Sequence, residues 1–277
     1  MSDLISVIMS VYKEPIEAVQ HSIESVLSQT YKNWELIIVL DCPDNMPVKE
    51  YLAQTAEQYK NVFFIENEVN IGLGASLNKA VSLASGVFCA RMDAEDFSFK
   101  DRFERQVNYI LSKPEVDLLF TQWQEIYSDG QIRKRQPVSR DVRHIEKNFF
   151  IKSLLLHPTL LTRSDILKKH PYPEMDRPED WVLFLDLIRF GYKFDLVEDI
   201  LYTYVVDERQ KYHKVRAYSE NLLPHLLSNS LHYSMNIYFW LYFARIAVEF
   251  LISRNEFVYW KTVKLMSSYW KKVFKSA

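Results

Sequence analysis

Four short apolar runs, separated by amphipathic stretches, restrict the fold of this chain more than any other feature. The runs are Ile5 to Met9, Leu36 to Leu40, Val62 to Ile65 and Val87 to Ala90. Apart from Ser6 each is apolar without alternation, the mark of a strand buried on both faces. Between the first two, Pro15 opens a helix that places Ile16, Val19, Ile23, Val26 and Leu27 on one face. Further helices are expected over Val48 to Tyr59 and Leu73 to Ala84. Strands and helices alternating in this way give an α/β fold with a mostly parallel central sheet and flanking helices. Ligands of such sheets bind beyond the carboxyl ends of the strands. Three polar loops lie there: Ser10 to Glu14, Asp41 to Asn45, and Asp93-Ala94-Glu95-Asp96.

The last of these loops crowds three carboxylates at a strand end, where they repel one another and add nothing to a core. A hard divalent cation relieves such crowding, because oxygen ligands suit it. The competing reading is an acidic turn that caps the helix starting near Lys100. Tyr12 and Asp41 fall on the same sheet edge. An aromatic face and a carboxylate suit a nucleobase, although a strand-end tyrosine and a turn aspartate are each ordinary. Asn70-Ile71-Gly72-Leu73-Gly74 precedes a helix but lacks the third glycine of a dinucleotide fingerprint, since Leu77 stands there. It remains a loop whose backbone can approach a phosphate or ribose. Glu179 and Asp180 open a helix, where acids favour the dipole; the alternative is a general base facing a hydroxyl. His157 reads first as a satisfied polar core residue. Arg133-Lys134-Arg135 reads as an edge strand whose charge blocks further pairing.

The 277 residues fit one large domain, or a domain with an appendage. A net charge of −2 gives no case for nucleic acid. Two cysteines, Cys42 and Cys89, exclude a disulfide framework and fit a reducing cytoplasm. The first residues lack a signal-peptide pattern, and no stretch of about 20 residues is apolar and uncharged enough to span a bilayer. With only five glycines, each is expected to answer a backbone need. Gly86 and Gly191 fall where helices should end, and Gly130 sits in an Asp129-Gly130 hairpin turn. Downstream, helices are expected over Arg102 to Leu111 and Trp181 to Phe190. Strands are expected over Val116 to Thr121, at Leu160-Leu161 and over Leu201 to Val206.

Taken in order, several segments resemble the family-two glycosyltransferases of the GT-A fold, especially bacterial enzymes of surface-polysaccharide synthesis. They are Ser6 to Tyr12, Glu35 to Asp41, Asn70-Ile71-Gly72 through Leu77-Asn78, Ala90 to Asp96, Arg102-Phe103 through Gln106, His157-Pro158-Thr159 and Glu179-Asp180-Trp181. The resemblance covers roughly residues 4 to 205. It implies that Ser10, Tyr12, Asp41, Asn70, Gly72 and Asp93 hold the nucleotide, with Asp41 on the uracil edge. It implies that Asp93 and Glu95, with Asp96 beside them, form the metal-binding DxD motif for Mn²⁺ or Mg²⁺. It makes Asp180 the catalytic base and places Glu179, Trp181 and His157 on the acceptor side. The implied reaction is inverting transfer of a hexose or N-acetylhexosamine from a UDP-sugar to a glycan acceptor carried on polyprenyl diphosphate. A dTDP-sugar donor, or a nucleotide-binding inactive partner, is the alternative. Two departures stand out: the usual paired aspartates appear as Leu40-Asp41, and Glu95 replaces the commoner aspartate.

On this reading residues 1–206 form the catalytic domain, with a nucleotide-sugar half to about 98 and an acceptor half after it. Residues 207–277 form a helical extension. It is rich in aromatics, and Arg254, Lys261, Lys264, Lys271, Lys272 and Lys275 face only Glu256 in charge. Such a segment either lies on an anionic membrane, as a peripheral protein on the inner face would, or caps the catalytic domain.

Overall fold

A computed structural model of the chain describes residues 3–134, 155–175, 177–206, 211–233, 235 and 237–254. They fall into two compact units, one of Met1–Met175 with Glu179–Val206 and one of Asp176–Pro178 with Asp207–Ala277.

The first unit is built on a mixed sheet of nine strands among the described residues. Its parallel half contains β1 (Ile5–Val11), β2 (Trp34–Leu40), β3 (Val62–Glu66) and β4 (Phe88–Asp93), in the order β3-β2-β1-β4. All seven residues of β1 and of β2 are buried, and the polar Ser6 and Glu35 among them meet in a 2.6 Å hydrogen bond. Between them run α1 (Ile16–Leu27), α2 (Met46–Gln58) and α3 (Leu73–Leu83). The register places Ser10 of β1 between Val39 of β2 and Asp93 of β4. The three polar loops therefore emerge along one edge.

The second half begins with β5 (Phe97–Ser98), α4 (Arg102–Ser112), β6 (Leu118–Tyr127) and β7 (Ile132–Lys134). It continues through β8 (Leu161–Arg163), α5 (Ser164–Lys169), α6 (Glu179–Arg189) and β9 (Phe194–Val206). Strand β8 joins antiparallel to β4 and to β6, so the sheet turns mixed beyond β4. The turn at Asp129-Gly130 links β6 to β7, with Gly130 at φ +77°. Strand β7 pairs only with β6, and its three residues are exposed, as a charged edge requires. Arg135 and Leu154 lie outside the described residues.

Two elements differ from the sequence expectation. Strand β9 runs for 13 residues rather than starting at Leu201. The polar pair Glu198-Asp199 looks like a break, but the register passes from Thr121–Val197 to Gln122–Ile200, so the pair sits in a bulge. Gly86 is not a helix terminator either, because α3 already ends at Leu83 and Gly86 has an ordinary φ. A Cβ there would stand 2.5 Å from the Leu4 carbonyl oxygen and 2.7 Å from both Ser6 N and Ser6 Oγ. Glycine is required by the close approach of two backbones.

In the second unit, α7 (Lys211–Asn229) packs against α8 (Ile237–Ile252), and Tyr218 and Tyr242 share a hydroxyl hydrogen bond of 3.0 Å. Leu222, Leu226, Phe239 and Ile246 are buried. Among the described residues no helix is long and apolar enough to cross a membrane.

Gly86→Ala should lower stability by about 1–3 kcal/mol, the usual range for overpacking, because backbone rather than a flexible side chain must yield. Chemical denaturation of the purified chain measures it, and a loss under about 0.5 kcal/mol would show that the strands part easily.

Candidate active site

The strand alternation of β4 puts Arg91 and Asp93 on one face. Arg91 is buried, and its guanidinium meets Asp93 Oδ1 at 2.5 Å while also donating to the Met92 carbonyl. Asp93 keeps 29% of its side chain exposed, and Glu95 is also partly exposed. Asp96 is placed differently. It is fully buried, accepting from the Tyr202 hydroxyl at 2.9 Å and from the Val205 N–H at 2.8 Å. Burial, and then the charge of Asp93, push its carboxyl well above the usual range. Asp96 thus ties the cluster to β9, leaving Asp93 and Glu95 as the partly exposed carboxylates. The cluster does not cap α4 either, since Asp101 occupies that position and its carboxylate binds Arg105 at 2.6 Å.

Asp41 follows β2 and is almost wholly buried. Its Oδ1 accepts from Ile71 N–H and Asn67 Nδ2, each at 2.8 Å, and its Oδ2 from Gly72 N–H at 2.8 Å. Asn70 Oδ1 also accepts from Gly72 N–H at 2.9 Å. Gly72 has φ +88°, where a Cβ would be strained. Asp41 therefore folds the Asn70–Gly72 loop with charge-assisted hydrogen bonds, whatever else it meets. Ser10 is buried beside Asp93 in the β1–β4 ladder. Tyr12 is 37% exposed, with the Lys13 ammonium 4.8 Å from its ring centre.

Asp180 stands in the first turn of α6, its Oδ1 accepting the Trp181 N–H at 2.8 Å. Burial pushes its carboxyl up to about 6 against the opposing pull of the Trp181 N–H and the Arg91 charge, while Asp93 adds to the rise. The charges of Arg91 and Asp93 thus reach Asp180, although β4 and α6 are far apart in sequence. Glu179 beside it is buried, and Trp181 is partly exposed. His157 lies in the core rather than on an open surface. Its Nε2 shares a 2.9 Å hydrogen bond with the Tyr172 hydroxyl, and its ring meets Phe184 edge-on. Burial and then Arg91 hold its pKa well below the ordinary value, so it is neutral at physiological pH.

Sequence reasoning passed over Arg91, Glu14 and Tyr202. The i, i+2 spacing of Arg91 and Asp93 on a buried strand was the available signal for the first. Glu14 accepts the Tyr12 N–H at 2.6 Å, and burial, with Asp93 contributing, raises its carboxyl. Tyr202 had no local signal, since its link to Asp96 spans 106 residues.

Residues 6–169 match the family model Glycosyl transferase family 2. The chain is 37% identical over 254 residues to the uncharacterized glycosyltransferase MJ1057 of Methanocaldococcus jannaschii, covering 90% of this chain and 88% of that one. It is 30% identical over 221 residues to the O-antigen biosynthesis glycosyltransferase WbnJ of Escherichia coli, covering 79% of this chain and 85% of that one. Among solved structures, S. aureus TarS 1-349 in complex with UDP-GlcNAc superposes with a TM-score of 0.64 at 20% identity, over 90% of this chain and 72% of that one. The mannosyltransferase PcManGT from Pyrobaculum calidifontis, in complex with GDP-Man and Mn2+, gives a TM-score of 0.65 at 13% identity, over 95% and 75%. The architecture is the GT-A fold. The chain belongs to glycosyl transferase family 2.

Proposed function

We propose that this protein is an inverting, metal-dependent transferase that moves a hexose or N-acetylhexosamine from a UDP-sugar to a hydroxyl of a polyprenyl-diphosphate-linked glycan in surface-polysaccharide synthesis. The observation that carries this reading is the Arg91–Asp93 ion pair at the carboxyl end of β4, whose two charges also act on the Asp180 carboxyl. The UDP-GlcNAc named with TarS and the O-antigen role named for WbnJ support the donor and the pathway class.

Mn²⁺ or Mg²⁺ would be held by Asp93 and Glu95. Among the described residues no group of three or more His, Cys, Asp or Glu forms a metal cage. Two partly exposed carboxylates fit a hard cation that completes its sphere with substrate phosphate and water. When bound, the ion supplies positive charge against the leaving diphosphate. The remaining work belongs to the chain. Asp41 shapes the Asn70–Gly72 loop along the nucleotide, Tyr12 offers an aromatic face to the base, and Arg91 fixes the Asp93 carboxylate. Asp180 takes the proton of the acceptor hydroxyl as the hydroxyl attacks the anomeric carbon. A carboxylate near 6 is ionised at neutral pH yet more basic than an ordinary aspartate, which suits that step. A single in-line displacement converts an α-linked donor into a β-linkage.

A peripheral site on the inner face of the membrane suits such an acceptor. On α8, Trp240, Leu241, Val248 and Leu251 are exposed, and Leu231 and Met235 before it are almost fully so. An exposed apolar helix face of this kind enters the headgroup region of a bilayer. Lys261, Lys264, Lys271, Lys272 and Lys275 lie outside the described residues.

Release of UDP from UDP-Glc and UDP-GlcNAc, with dTDP- and GDP-sugars as controls and Mn²⁺ present, tests the chemistry. Asp180→Asn should lower turnover by about 10²–10⁴ with UDP affinity retained; turnover near wild type would remove Asp180 as the base. For the wild type, kcat/KM should be flat above pH 7 and fall tenfold per unit below about pH 6, as Asp180 gains its proton. Binding to anionic vesicles by the full chain should weaken at least several-fold on Trp240→Glu combined with Leu241→Glu; undiminished co-sedimentation would remove the membrane role.

A further inference from the structure

We infer that Asn78 is a positioning residue that couples the nucleotide loop to the segment bearing the general base; the inference rests on the function proposed above. Asn78 projects from α3, whose first residue follows Gly72 directly. Its Oδ1 accepts the Tyr172 N–H at 2.8 Å, and its Nδ2 donates to the Tyr172 carbonyl at 2.8 Å. Both backbone groups of one residue are thus captured by one side-chain amide, across 94 positions of sequence. Only an amide carries the donor and acceptor this needs; aspartate would accept but could not donate.

Gly74 lies four residues earlier on the same face of α3. A Cβ there would stand 2.9 Å from the Pro173 carbonyl oxygen, 3.5 Å from Tyr172 Cβ and 3.6 Å from Glu179 Cβ. The missing side chain lets α3 seat against both the Tyr172–Pro173 backbone and Glu179, the neighbour of Asp180. The far side of Tyr172 is fixed as well, through its hydroxyl to His157. Just ahead of the first turn of α3, Asp41 holds the amides of Ile71 and Gly72. One helix of 11 residues therefore carries the nucleotide loop at its start and the base-bearing segment along its side. A shift of the loop on nucleotide binding is transmitted as a rigid movement of the surface on which Glu179 rests. Misplacement of a catalytic group by about 1 Å costs on the order of 100-fold in rate. Asn78 touches no reacting atom, so its effect is one of placement.

The test uses the full chain with Asn78→Ala, Asn78→Asp and Gly74→Ala. The readouts are UDP affinity by calorimetry with Mn²⁺, UDP release from UDP-Glc and UDP-GlcNAc per folded molecule, and amide hydrogen exchange. Expected for Asn78→Ala and Gly74→Ala is a kcat lower by roughly 30- to 100-fold with the Kd for UDP within about threefold. Asn78→Asp, which keeps one of the two hydrogen bonds, should fall between. Exchange should rise at Tyr172 and at residues 179–182 while residues 71–72 stay protected. A purely structural role would lower the folded fraction and leave kcat per folded molecule unchanged, and that result would overturn the inference. So would a loss confined to UDP affinity. A wild-type chain that releases no UDP from any sugar nucleotide would overturn the proposed function. Exchange would then still judge the coupling: in Asn78→Ala, unchanged protection at 179–182 would overturn it.

Discussion

Arg91 lies buried on β4 opposite Ile8 of β1, and its guanidinium meets the Asp93 carboxylate at 2.5 Å. In a low-dielectric interior the attraction is strong, but so is the cost of leaving either partner alone, about 3–5 kcal/mol for a broken buried pair. The pair therefore fixes where Asp93 can be, and Asp93 is the last residue of the strand that leads into the acidic cluster. A second guanidinium is buried beside it. Arg102 donates to the Arg91 carbonyl and to Gln106 and lies 5.1 Å from the Tyr202 ring centre. With only polar and aromatic partners this close, burial brings it down to about 10, where it is still charged at neutral pH. Two fixed cations under three carboxylates give the strand ends a defined field before any ligand arrives.

Much of the fold was legible in the sequence, for reasons that differ by element. The parallel half of the sheet announces itself because strands buried on both faces are largely apolar, and Ile5–Val11 and Trp34–Leu40 are buried at every position. The edge on which the loops gather follows from parallel pairing alone. Strand β9 was only half legible, because Glu198-Asp199 reads as a break while the sheet absorbs it as a bulge. Gly86 was recognised as constrained, but the constraint is the approach of Leu4 and Ser6, which no local pattern contains.

The site divides in the same way. Residue types and spacing singled out Asp41, Asp93 and Asp180, and all three stand in the unit that carries the sheet edge. Their partners could not be read locally. Asp96 meets Tyr202 and Val205 from the far end of the sheet, and Asp41 meets the amides of a loop some 30 positions on. Sequence spacing therefore singles out these carboxylates, while their long-range partners lie beyond its reach.

That sorting is the physical core of the arrangement. Asp41 accepts three protein hydrogen bonds and with them shapes a loop. Asp96 is sealed from water and drawn toward its neutral form, which suits a tie between two strands and ill suits a cation ligand. Asp93 is paired with Arg91 and still keeps part of its surface open. Asp180 is raised by burial and by Asp93 but restrained by Arg91, which leaves it poised close to neutral pH. Four identical side chains are driven to four behaviours by burial, amide donors and one guanidinium. Because Arg91 acts on both Asp93 and Asp180, the carboxylate proposed to face the metal and the one proposed to take the proton are set by the same charge. A change at either end of the reaction is then felt electrostatically at the other, without any movement of the backbone between them.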